Sequence, residues 1–221
     1  MPFSAQQIKT ARLHLQKSDP VMRKLLKQLG PFTARASLDR LGALVDSILS
    51  QQISTAAAET IKGRFRAAYQ QRATEMGYSI RQTRWEVLVS FDRAALHTLG
   101  VSPQKAGYLI DLAEKVSRGV VDLPRINRLS DEDVVHQLIQ VKGIGRWTAQ
   151  MFLIFSLARM DILPTDDLGL RKAIGQQYSM DEMPTVECIH QIANPWRPYT
   201  TVATWYLWRS LENPASVSAT D

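Results

Sequence analysis

The sequence predicts an all-α protein of one or two helical lobes, and three observations carry the helical part of that prediction. Apolar residues recur at helical spacing along almost the whole chain. No segment holds a sustained apolar–polar alternation between turn signals, the mark of a half-buried strand. Small polar residues stand where helices would begin, and glycines where they would stop.

Ser4, Ser54, Asp92, Ser102 and Ser130 occupy the starts, where a side-chain oxygen can accept from an orphan N–H of the first turn. Gly30, Gly100 and Gly119 occupy the stops, where a residue without Cβ closes the last turn in a left-handed conformation. About ten helices result. In chain order, Leu41, Leu44, Val45, Ile48 and Leu49 mark one buried face within Leu41–Leu49. Gln70–Thr83 reads as an irregular connection. Ala106, Leu109, Ile110, Ala113 and Val116 mark the face of a second core helix in Pro103–Val116. Periodicity lapses in Gly119–Asn127, which contains Pro124 and is the best internal linker, before Ser130-Asp-Glu-Asp restarts it. An apolar helix is expected from Trp147 to Arg159 and another from Leu168 through Ile174. The tail after Glu212, with Pro214, is expected to fray.

A chain of 221 residues that is 45% hydrophobic can bury a core as one large domain or two small ones. Cys188 is its one cysteine, which excludes an internal disulfide and any four-cysteine metal or iron–sulfur site. His14, His97, His136 and His190 show no metal-ligand spacing. No run approaches the roughly 18 apolar residues of a membrane helix, and the N-terminus lacks the apolar core of a signal peptide, so a cytosolic protein with no membrane partner is expected. A monomer is also expected. The net charge of +6 favours a polyanionic partner without identifying it.

Two motifs carry chemistry. In Leu138–Ala149 a helix end runs through Val141-Lys142 into Gly143-Ile144-Gly145 and then into the apolar helix. Glycines there allow positive φ and let a phosphodiester approach backbone N–H groups at the new helix's start, while Lys142 and Arg146 add charge. A plain helical connection, with Gly143 after a helix end and Ile144 as a core plug, fits Gly-x-Gly equally. Beyond that segment stands Pro164-Thr165-Asp166-Asp167, whose last residue is twenty positions after Trp147. Asp166 can cap the following helix, with Asp167 in its first turn against the positive end of the helix dipole.

With Leu138 and Ile139 before the glycines and Thr148-Ala149 after them, the segment resembles the helix-hairpin-helix DNA-binding motif, which grips duplex backbone without regard to sequence. That resemblance implies a monovalent cation, Na+ or K+, on the carbonyls of Ile139, Val141 and Ile144, and no other cofactor. The hairpin and Asp167 together resemble the Gly-Pro-Asp superfamily of DNA glycosylases, and the likeness runs from about Leu41 to Arg209, nearest to the alkylation-repair, 3-methyladenine glycosylase II branch. It implies two lobes, Ser37–Arg128 against residues 1–36 plus 129–221, with the hairpin at the edge of a cleft between them. It implies localisation with the DNA, at the nucleoid in a bacterium.

By the same resemblance, Asp167 is the catalytic carboxylate. Gln51-Gln52-Ile53-Ser54 is the loop entering the minor groove, with Gln52 as the wedge beside Ile53. Lys142, Gly143, Gly145, Arg146 and Thr148 hold DNA backbone, and Trp147, Met151 and Trp205 line the base pocket. Gln51 and Gln52 also fit an exposed turn with Ile53 in the core, and each tryptophan also fits as core filler. Met151 departs from relatives that carry an aromatic residue there, which leaves the range of bases open. Trp147 stands where bifunctional relatives carry a Schiff-base lysine, implying hydrolysis without strand cleavage. The expected substrate is duplex DNA carrying 3-methyladenine or 7-methylguanine. A non-catalytic hairpin protein for damaged or structured DNA, or a glycosylase for another lesion, remain alternatives.

Overall fold

The computed structural model describes residues 3–81 and 83–212, so the tail expected at Pro214 lies outside the described residues. Among the described residues there are twelve α-helices and no strand. They are α1 (Ala5–Ser18), α2 (Pro20–Gln28), α3 (Arg40–Ser50), α4 (Thr55–Glu75), α5 (Trp85–Leu88), α6 (Arg93–Thr98), α7 (Pro103–Ser117), α8 (Asp131–Leu138), α9 (Arg146–Phe155), α10 (Leu168–Gln177), α11 (Val186–Ala193) and α12 (Thr200–Glu212). No helix among them is long and apolar enough to cross a membrane.

The punctuation acts as its chemistry dictates. Ser4, Ser54, Asp92, Ser102 and Ser130 are the N-caps of α1, α4, α6, α7 and α8, each accepting from a first-turn N–H. Gly30, Gly100 and Gly119 follow α2, α6 and α7 with positive φ. Two boundaries differ from the sequence reading. Helix α4 continues to Glu75, into the stretch expected to be irregular, because Ala73 extends its buried face one turn beyond Tyr69. Helix α9 stops at Phe155 instead of Arg159, and Ala158 then adopts φ 53° as the chain turns away.

The chain divides into two compact units, one running from Ser37 to Phe152 and the other combining the chain up to Ala36 with that from Leu153 onward. The second boundary was expected after Arg128. The connection Gly119–Asn127 is no loose linker, because Val121, Leu123 and Ile126 are buried. Arg40 Nη1 donates to Leu123 O at 2.8 Å, and Asp122 N–H donates to Gln137 Oε1 at 3.1 Å. These ties keep α8 and the hairpin with the Ser37–Phe152 unit, while the expected division assigned them to the other.

In the unit built from both ends of the chain, Leu15, Met22, Leu25, Ile174, Trp196, Val202 and Tyr206 form the centre of one apolar core. Within it lies a buried carboxylate, Asp19, which caps α2. Its Oδ1 accepts from Val21 N–H at 2.7 Å and Met22 N–H at 3.0 Å. Its Oδ2 accepts from the Tyr178 hydroxyl at 2.6 Å and Trp196 Nε1–H at 2.8 Å. One side chain thus ties α2 to the end of α10 and to the turn Asn194–Trp196 that precedes α12.

Candidate active site and nucleic-acid interface

The hairpin joins α8 to α9. Ile139 N–H donates to Val135 O and Val141 N–H to Leu138 O, closing α8, and Ala149 N–H donates to Gly145 O, opening α9. Val141 and Ile144 are buried, so the core-plug reading of Ile144 is correct, while Lys142, Gly145 and Arg146 face solvent. Of the three carbonyls expected to hold a cation, that of Val141 accepts from Ile144 N–H at 3.0 Å, which leaves its second lone pair.

The two glycines serve different needs. Gly143 has φ 81°, and a Cβ there would stand 2.1 Å from Tyr108 Cδ2 on α7. At Gly145 a Cβ would meet nothing within 4 Å, so its backbone opens onto space a phosphate could approach. Gly143→Ala therefore combines left-handed strain with overpacking and is expected to cost about 2–4 kcal/mol. Denaturant unfolding would register that loss; a loss below about 1 kcal/mol would mean that Tyr108 and the turn yield freely. Asp111 holds the other side of the turn, accepting from Lys142 N–H at 2.8 Å and from Lys115 Nζ. Burial alone would raise the Asp111 carboxyl, but those donors outweigh it and hold its pKa below the ordinary value.

The loop between α3 and α4 is fastened to the same turn. Gln51 Nε2 donates to Gly143 O at 2.7 Å, and Lys105 Nζ, its pKa lowered by burial, donates to Leu49 O at 2.8 Å. Immediately after those anchors Gln52 takes φ 54°, a conformation costly for a residue with Cβ, and projects as an exposed residue. Ile53 is 38% exposed, which removes the reading that placed it in the core. Lys105 escaped the sequence reading as an anchor because its partner is a backbone carbonyl 56 positions away.

Arg146 forms a bidentate ion pair with Glu132 of α8, both contacts at 2.9 Å, and that guanidinium holds the Glu132 carboxyl below its ordinary pKa. An exposed pair of this kind competes with a DNA phosphate for the same guanidinium fork. Glu132→Gln is accordingly expected to raise duplex affinity roughly threefold at low salt, the gain shrinking as salt rises. A titration at two salt concentrations tests this, and equal affinities at low salt would remove Arg146 from the interface. Thr148 is buried, so its side chain is withdrawn from the surface where it was expected to meet DNA. Trp147 is 45% exposed, whereas Met151 is half-buried.

The carboxylate pair resolves differently from its expected division of labour. Asp167, not Asp166, is the N-cap of α10. Its Oδ1 accepts from Leu170 N–H at 2.6 Å and from Trp208 Nε1–H, on α12, at 2.7 Å. Trp205, one turn earlier on α12, is buried in the core with Phe32 at a ring-centroid distance of 4.8 Å and Tyr206 edge-on at 4.9 Å.

Residues 45–198 match the family model of HhH-GPD superfamily base excision DNA repair proteins. The chain belongs to that superfamily. Among its relatives is DNA-3-methyladenine glycosylase 1 of Schizosaccharomyces pombe, 30% identical over 204 residues that cover 90% of this chain and 86% of that protein. Bacillus subtilis YfjP is 31% identical over 169 residues, 76% of this chain, and the match spans 58% of that protein's length. The solved structure of S. pombe 3-methyladenine DNA glycosylase in complex with abasic DNA has a TM-score of 0.77 at 29% identity, covering 92% of this chain and 97% of that one.

The superfamily match contains the Gln51–Ser54 loop, the hairpin and Asp167, and it stops short of α12. Among the predicted residues, the structure joins Gln51 directly to Gly143 and puts Trp147 on the surface at the head of α9. The aromatic residue that meets the carboxylate, Trp208, was absent from the sequence prediction. Its only signal was the recurrence of tryptophan three positions after Trp205.

Proposed function

We propose that this chain is a DNA glycosylase of the 3-methyladenine class, which removes an alkylated purine from duplex DNA by hydrolysis and leaves an abasic site. The observation that carries the reading is Asp167, a carboxylate within the superfamily match whose Oδ1 is fixed by two N–H donors at 2.6 and 2.7 Å. Breaking an N-glycosidic bond builds positive oxocarbenium character on the sugar. A preorganised carboxylate stabilises that charge more in the transition state than in the ground state, and it can orient the attacking water. An alkylated purine carries positive charge and is already a good leaving group, so a second acid of the glycoside-hydrolase kind is dispensable.

The other groups take supporting roles. Lys142, Gly145 and the N-terminal turn of α9 hold DNA backbone, and the carbonyls of Ile139, Val141 and Ile144 form a hard-oxygen set for Na+ or K+ beside that phosphate. Gln52, held in a left-handed conformation directly after the anchored Gln51, fills the gap left by the extruded nucleotide. Trp147 offers an exposed indole whose π-face attracts a cationic base more than a neutral one. It also occupies the place of the Schiff-base lysine in bifunctional relatives, so the reading excludes strand cleavage through a covalent sugar adduct. The test is release of free base from methylated duplex DNA, run beside borohydride trapping. Free 3-methyladenine or 7-methylguanine with no trapped adduct is expected; no release would overturn the enzyme reading, and a trapped adduct would overturn the monofunctional one.

A further inference from the structure

We infer that Trp208 is a positioning residue for Asp167, an inference that rests on the catalytic reading of Asp167 above. Four observations meet at this point. The indole N–H of Trp208 and the main-chain N–H of Leu170 both donate to one oxygen, Asp167 Oδ1. The indole stacks on Phe155 at the end of α9, with centroids 6.0 Å apart and planes 24° from parallel. Beside this contact lies Gly169, where an added Cβ would stand 3.1 Å from Asp167 Oδ1 and 3.3 Å and 3.4 Å from Trp208 Cδ1 and Nε1. Three chain segments, separated by up to 53 positions between Phe155 and Trp208, therefore converge on a single carboxylate oxygen.

A helix cap alone needs one donor. A second donor on the same oxygen, carried on a ring that is itself braced by Phe155, fixes the plane of the carboxylate. The direction of its other oxygen relative to α10 is then fixed as well. Rate in a preorganised site depends on such orientation, because a carboxylate that must first turn toward the developing positive charge loses part of its stabilisation. Trp208 in this account touches neither sugar nor base. It acts through Asp167, and Gly169 is the residue that lets the indole come close enough to do so.

The experiment compares wild type, Trp208→Phe, Gly169→Ala and Asp167→Asn, and the double variant Trp208→Phe/Asp167→Asn, on methylated duplex DNA under single-turnover conditions. Phenylalanine keeps a ring against Phe155 and deletes the donor. The expected result is a fall of about tenfold in the rate of base release for Trp208→Phe, with affinity for abasic-site duplex unchanged and a thermal midpoint lowered by only a few degrees, still far above the assay temperature. In the Asp167→Asn background the same substitution should cause no additional loss. Gly169→Ala, which crowds the contact without removing the indole, should move the rate in the same direction and serves if the phenylalanine variant is unstable. If Asp167→Asn is inactive while Trp208→Phe and Gly169→Ala excise at the wild-type rate, the positioning role is overturned and the catalytic reading stands. If Asp167→Asn itself excises at the wild-type rate, the catalytic reading falls and the inference with it.

Discussion

Asp167→Asn is expected to lower base excision by on the order of a thousandfold or more while leaving fold and duplex binding intact. The substitution removes the charge and keeps the cap. Asp167 Oδ1 accepts from Leu170 N–H and Trp208 Nε1–H. The amide oxygen of asparagine accepts from the same two donors, and asparagine caps helices about as well as aspartate. What vanishes is the negative charge, the property the oxocarbenium-like transition state needs. Asp167→Ala would confound the result, since it also deletes the cap at a cost of about 1 kcal/mol and leaves the indole N–H without its acceptor. Single-turnover release of free base from methylated duplex measures the rate, and binding to abasic-site duplex together with a thermal melt supplies the controls. A mutant that binds normally and still excises within tenfold of wild type would show that the carboxylate charge is not what drives cleavage.

How far this site could be read from sequence depends on the range of each interaction. The hairpin was legible because its requirements are local. Gly143 and Gly145 are two positions apart, and the flanking Leu138, Val141 and Ile144 supply the buried anchors that the spacing suggests. Even so, the reason for Gly143 lay out of view, since the ring it must clear belongs to Tyr108 on α7. The five capping residues were legible for the same local reason, each bonding within three residues of itself.

Long-range choices were not legible. Trp205 and Trp208 lie three positions apart on α12, and the helical period puts both near one face. Only packing decides that the first enters the core against Phe32 while the second reaches Asp167. The boundary expected after Arg128 failed because Pro124 and lapsed periodicity look alike in an exposed linker and in a packed connection. Buried Val121 and Ile126 distinguish the two, and their burial is set by helices distant in sequence.

Asp19 tests the opposite limit, where asparagine should fail. Its four acceptor contacts are divided two to each oxygen, and the group is buried. Trp196 Nε1–H and the two main-chain N–H groups can only donate, so each carboxyl oxygen must accept. An asparagine has one oxygen to offer. In one orientation its NH2 faces the indole N–H, and in the flipped orientation it faces the N–H groups of Val21 and Met22. Asp19→Asn is therefore expected to lose about 2–4 kcal/mol although asparagine is a good cap, and Asp19→Ala about 3–5 kcal/mol. The same site predicts an alkaline limit. Burial first, then the Asp19 carboxylate, pushes the Tyr178 hydroxyl well above its ordinary value of 10.0. A raised folded-state value means that this stability is whole below the unfolded value and erodes as pH climbs past it, when the unfolded chain ionises and the folded one resists. Denaturant midpoints for wild type and both variants, measured near neutrality and again above pH ~10, read the two effects together. If asparagine at position 19 proved as harmless to the fold as asparagine at 167 is expected to be, the four-donor account of Asp19 would be wrong. The same mutation thus separates a carboxylate kept for its charge from one kept for its two accepting oxygens.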